Sequence, residues 1–170
     1  MKRPETNEFA PYYNTYVSLI EGDGVMAELE SQTEILRAAV AGLPEDRGSY
    51  AYAEGKWTIK ELLSHLIDGE RIFAYRVLRI SRGDTTPIEG FEQDDYIATS
   101  RANDRTFANL IDEFAFERQA NLIMVGNIDD ETARRMGTAS DKPVSVRALT
   151  YIMAGHVKHH LKILADRYLD

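Results

Sequence analysis

Trp57-Thr58-Ile59-Lys60-Glu61-Leu62-Leu63-Ser64-His65-Leu66 contains the clearest helix start in the sequence. Thr58 and Glu61 fit a capping box, in which each side chain satisfies a backbone N–H that the first helical turn leaves free. Trp57 stands just before the cap, where it can act as a hydrophobic staple. Beyond it Ile59, Leu62, Leu66, Phe73 and Val77 recur at helical spacing, predicting a helix from Ile59 to about Arg82 that stops at Gly83-Asp84.

The same periodicity extends outward from this stretch in both directions. On the N-terminal side Val25, Leu29, Leu36, Ala39 and Val40 mark a helix from Val25 to about Leu43, ended by Gly42 and Pro44. Before it lie a loose lead-in over residues 1–11 and a short helical stretch from Pro11 to Ile20, broken by Glu21-Gly22-Asp23-Gly24. On the C-terminal side a polar loop includes Gly90-Phe91-Glu92-Gln93-Asp94-Asp95-Tyr96, and a third long helix is expected from about Ala102 to Val125. Residues 127–143 are polar and read as an irregular connection or one short helix. Ser145 then caps a last helix from about Val146 to Leu169. With no strand alternation of useful length and no internal repeat, the expectation is an all-α four-helix bundle with short extra helical or irregular segments. It forms one domain over 1–170, with its core over about 16–168.

Composition narrows the function. A chain of 170 residues with 44% apolar and 28% charged residues can bury a proper core without disulfides or a structural metal. Twenty Lys and Arg against 28 Asp and Glu leave a net charge of −8, which disfavours coating of nucleic acid, because phosphate binding wants a basic face. No apolar run reaches the roughly 18 residues of a membrane span, and the N-terminus lacks the pattern of a secretory signal. Cysteine is absent. That removes thiolate ligands and a cysteine nucleophile, suits a reducing cytoplasm, and leaves His, Asp and Glu as possible metal ligands.

The four histidines are His65, His156, His159 and His160. Residues four apart on a helix share a face, so His156 and His160 can hold one ion as neighbouring imidazoles. Advancing about 100° per residue from His156 puts His160 near +40° and His159 near −60°. Leu149, Met153, Ile163 and Leu164 centre the apolar face at roughly +20 to +60° on the same wheel, with Tyr151, Lys158, Lys162 and Asp166 on the opposite side. The wheel therefore selects His156 and His160 and leaves His159 bordering solvent. His65 lies toward the edge of its helix's apolar stripe, a position suited to a bundle site open to solvent. Three neutral imidazoles suit Zn²⁺, Ni²⁺, Fe²⁺ or Cu²⁺. Three protein ligands also leave a coordination position for water or substrate, as catalytic sites do.

Three segments resemble the DinB/YfiT-like superfamily of bacterial four-helix proteins classed as metal-dependent hydrolases. They are Lys56 to Leu66, the loop Gly90 to Tyr96, and Gly155-His156-Val157-Lys158-His159-His160. The resemblance runs from about Tyr16 to Tyr168. It implies a divalent metal, zinc or nickel, on His65, His156 and His160, a small-molecule substrate and a homodimer. It also implies hydrolysis or thiol S-transfer with a low-molecular-weight thiol, since a bound metal can generate a thiolate or activate water at neutral pH. The alternative is a non-catalytic, stress-associated metal-binding protein, marked by a site closed with a fourth protein ligand or lacking a cavity.

Other residues carry weaker signals. Glu61 is the one candidate base, although its capping role already accounts for it. Asp94 and Asp95 could line the site's mouth but read as solvated loop acids. Arg76 and Arg167 could grip a substrate carboxylate, with surface ion pairing the preferred reading. Trp57, Tyr12, Tyr13 and Tyr16 read as core or interface aromatics, and Gly69 and Gly155 as room beside the metal or close helix packing.

Overall fold

A computed structural model describes residues 1–169. Four long helices form the bundle: α2 (Val25–Val40), α3 (Ile59–Ser81), α5 (Phe107–Gly126) and α7 (Val146–Tyr168), with the short helices α1 (Asn14–Val17), α4 (Gln93–Thr99) and α6 (Asp130–Ala133) between or before them. The start of α3 is the expected capping box. Thr58 N–H donates to Glu61 Oε2 at 2.8 Å, and Glu61 N–H donates to Thr58 Oγ1 at 3.1 Å. Thr106 and Ser145 cap α5 and α7 in the same way, each accepting from the backbone N–H three residues on.

The helices pack as a ring. α3 lies against α5 and α7, and α2 lies against the same two, so α2 and α3, successive in sequence, occupy opposite corners. Apolar side chains fill two clusters. One is built around Leu29, Phe73, Val77 and Leu149, the other around Leu36, Leu63, Phe114 and Leu164. Between them Arg118 donates from Nε and Nη2 to the two carboxylate oxygens of Glu70, at 2.8 Å each, and from Nη1 to Gln32 Oε1 at 2.8 Å. Gln32 in turn donates to the Ala154 carbonyl at 2.7 Å, so one buried polar layer ties all four long helices together.

The structure differs from the expectation in three connections and on one helix face. The acidic stretch after Gly90 is not all loop: Gln93–Thr99 forms α4. The third long helix begins at Phe107 rather than Ala102, because Arg101 is left-handed (φ 54°) and Arg105 extended, leaving Ala102–Asp104 as an isolated 3₁₀ turn. Residues 127–143 contain the short helix α6 and also the first strand of a two-stranded antiparallel hairpin, β1 (Met136–Ala139) and β2 (Lys142–Ser145). Its two-residue turn, Ser140-Asp141, has positive φ at both positions, 50° and 59°, as a type I′ hairpin requires. Tyr151, assigned by the wheel to the solvated side of the last helix, is fully buried and donates to the Gly22 carbonyl at 2.9 Å. The N-terminal segment covers that face of α7. Contact there is close: a Cβ on Gly155 would overlap the Tyr16 carbonyl oxygen.

Candidate metal centre

His65 sits in the second turn of α3, and α7 carries His156 and His160 one turn apart on the face turned toward it. The packing of α3 on α7 brings the three rings together. Ring centroids are 4.7 Å apart for His65–His156 and His156–His160, and 4.8 Å for His65–His160. One ligand atom from each lies within 4.8 Å of the others, close enough for the cluster to hold a single metal ion. The three are 3%, 4% and 9% exposed. His65 Nε2 and His156 Nε2 are 2.8 Å apart. His160 Nδ1 is buried without a hydrogen-bond partner among the described residues.

Burial sets the protonation of this cluster. It pushes His65 down to about 4, opposed in part by the negative charge of Asp94. It pushes His160 down to about 3, helped by the neighbouring His65 and His159. His156 is driven well below its ordinary range by burial and then by the other histidines. All three are therefore neutral at pH 7, the form in which imidazole binds metal. An orphaned buried nitrogen and a pair of facing nitrogens, in a set of three neutral donors, fit a divalent transition metal.

Aromatic groups hold the rings in place. Trp57 lies 4.7 Å from His65, and Phe73 and Tyr16 lie 5.5 and 5.4 Å from His156, ring centre to ring centre. His159 is half-buried against the edge of Tyr16 at 5.5 Å and stands outside the trio, as the wheel indicated. Gly69 matters here because a Cβ at that position would come within 2.9 Å of His156 Cε1. The ring occupies space that any other residue would fill.

Two clefts reach the cluster. One, of about 280 Å³, exposes His65 and His156 and is walled by Tyr12, Tyr13, Tyr16, Phe73 and Phe91. The other, of about 270 Å³, exposes His160 beside Trp57, Tyr52 and Tyr168. Gln93 and Asp94, at the start of α4, line both.

Several sequence readings change here. The Tyr12, Tyr13 and Tyr16 group, read as core or interface, walls a cleft, and Trp57, besides its place before the cap, packs on a candidate ligand. Asp94 separates from Asp95: Asp94 lines both clefts, whereas Asp95 is an exposed residue on α4. Arg76 is no surface ion-pairing residue but 2% exposed and lines the cleft of His65 and His156, while Arg167 is exposed near the end of α7. Glu61 is engaged elsewhere, accepting from Thr58 N–H on one carboxylate oxygen and from Asn103 Nδ2 at 3.0 Å on the other. Sequence reasoning missed Ser140, which reaches the site from the tip of a hairpin that apolar spacing does not reveal. The loop quoted for the family resemblance did signal Phe91, Gln93 and Asp94.

The model for the DinB superfamily matches residues 28–164, a span that takes in all three histidines. A protein of Geobacillus thermodenitrificans (strain NG80-2) named "Putative metal-dependent hydrolase" is 25% identical over 137 residues, 79% of this chain and 77% of that one. The fold is similar to that of YfiT from Bacillus subtilis, described as "a probable metal-dependent hydrolase with an unusual four-helix bundle topology". That similarity has a TM-score of 0.78 at 14% identity, over 85% of this chain and 83% of the other. The family match spans most of the sequence and the bundle reproduces the fold of a known structure, so the chain belongs to the DinB superfamily.

Proposed function

We propose that this protein is a metal-dependent enzyme, a hydrolase or a low-molecular-weight-thiol S-transferase, in which His65, His156 and His160 hold one divalent cation, zinc or nickel. The observation that carries this reading is the trio itself. Three buried, neutral imidazoles face one another, and clefts give a small molecule access to them from two sides. A structural site would be closed by a fourth ligand. Among the described residues no further His, Asp or Glu joins the group, which favours the catalytic reading over a non-catalytic metal-binding protein.

When bound, a divalent cation supplies Lewis acidity that lowers the pKa of a water or thiol. The chain's own contribution is positional. The imidazoles are kept deprotonated by burial, and the surrounding aromatic rings restrict their rotation. Asp94 is the acid placed to accept a proton at the mouth of both clefts, a role that Glu61 is held away from by its capping bonds. Hydrolysis and thiol transfer share this arrangement and differ only in which nucleophile enters.

Metal analysis of the purified protein beside His156→Ala tests the proposal. About one ion per chain is expected in the wild type and little in the variant. Stoichiometric metal retained by His156→Ala would overturn the ligand assignment. A panel of ester and amide substrates, run beside thiols with electrophilic acceptors, separates the two reaction types.

A further inference from the structure

Arg76 is buried, cationic and incompletely satisfied. Its Nη2 donates to the Glu89 carbonyl at 3.2 Å and to Ser140 Oγ at 2.9 Å, both neutral oxygens. Its Nε–H has no acceptor among the described residues. The other arginines near it are paired with acids: Arg71 with Glu113 and Glu117, Arg79 with Asp84. A guanidinium keeps its charge when buried, and a desolvated cation is costly unless an anion completes it. Ser140, its hydroxyl partner, is held in place by the left-handed hairpin turn and by its N–H donating to the Ile88 carbonyl at 2.9 Å. Arg76 is thus fixed in a built setting.

It lines the same cleft as His65 and His156. Phe73 stands between the two ends of that cleft, its ring centre 5.5 Å from that of His156 and 6.0 Å from the Arg76 guanidinium carbon. From these positions we infer that the cleft binds a small organic carboxylate with an aromatic or flat apolar body. Arg76 takes the carboxylate, the tyrosines and Phe73 pack against the body, and the far end of the molecule faces the histidines. The guanidinium offers a carboxylate its positive charge and the unpartnered Nε–H, a charge-assisted donor, aromatic walls suit a planar body, and a volume of about 280 Å³ suits a small ligand. Glu92 and Asp94 also line this cleft, but both are exposed at its mouth, where water screens their charge. Arg76, at 2% exposed, is far less screened. The inference rests on the proposed function only in making the histidine end the reacting end.

Binding of benzoate and of its neutral isostere benzamide, measured by calorimetry or NMR titration on the full chain, tests it. Wild-type protein is expected to prefer benzoate by about tenfold or more. Arg76→Gln should lose that preference with its metal content unchanged, and Arg76→Lys, which keeps the charge but not the Nε–H, should fall between. His156→Ala, depleted of metal, should retain the preference, which separates this inference from failure of the metal assignment. Intermolecular NOEs are expected from the benzoate ring to Tyr16 and Phe73, and these read the site even if Arg76→Gln does not fold. Equal affinity for benzoate and benzamide in the wild type would overturn the inference. So would a preference that survives Arg76→Gln but vanishes in His156→Ala, or NOEs confined to other residues.

Discussion

Gly69 faces His156 across the α3–α7 contact, and the 2.9 Å that would separate a Cβ at that position from His156 Cε1 is too short for a relaxed contact. Alanine there should stabilise the isolated helix by up to about 1 kcal/mol while displacing the imidazole. Gly69→Ala is therefore expected to weaken metal binding about tenfold or more with little loss of folding stability, read by a metal-competition titration beside urea denaturation. The histidines also make stability depend on pH. Their folded-state values, about 4 for His65, about 3 for His160 and lower than ordinary for His156, all lie below the roughly 6.5 of an unfolded histidine. The unfolded chain consequently takes up protons that the folded chain refuses. In metal-free protein this contribution is fully present above about pH 6.5 and declines as the pH falls toward 4. Acidification from pH 7.5 to 5 should cost roughly 2 kcal/mol or more, measured as a falling urea midpoint, with a shallower fall in His156→Gln. A midpoint independent of pH over that range would contradict the burial of neutral rings.

Among the elements, the long helices depend on the polar layer that separates the two apolar clusters. Glu70 and Arg118 are almost completely buried and bind each other through two hydrogen bonds, with Asn121 donating a third to Glu70 Oε1 at 2.9 Å. Removing one partner strands the other charge inside the bundle. Arg118→Met is expected to destabilise by about 3–5 kcal/mol, and adding Glu70→Leu should recover much of that loss, because a buried pair replaced whole by apolar groups costs little. Chemical denaturation of the two variants makes the comparison. The helices that carry this layer could be read from apolar spacing and caps, whereas the hairpin could not. Each strand has four residues, too few for alternation to stand out, and its turn uses Ser140-Asp141 in place of the glycine-containing pairs that usually signal type I′ geometry.

At the scale of the whole molecule, no helix among the described residues is long and apolar enough to cross a membrane. Apolar residues do reach the surface of α5, where Phe116 and Ile123, seven residues apart and so on one face, are 71% and 67% exposed. We expect this face to support the homodimer implied by the family resemblance. Phe116→Glu should then shift the protein to a monomer in sedimentation velocity without changing its metal content, and a wild type that sediments as a monomer at high concentration would refute the expectation.

The helical class, the cap at Thr58 and the pairing of His156 with His160 on one face were legible in the chain because each depends on near neighbours: a repeat of 3.6, a capping box over four residues, and two histidines one turn apart. That His65 meets His156 and His160 was carried by family resemblance; spacing alone could bring together only the two on one helix. What tertiary structure decided lies between segments distant in sequence. Arg76 became a buried cation because the hairpin and the strap through Ile88 close over it, and Tyr12, Tyr13 and Tyr16 became a cleft wall because Gly155 lets the N-terminal segment lie on α7. Burial of a charge or a ring is a property of everything packed around it, and no local pattern encodes that.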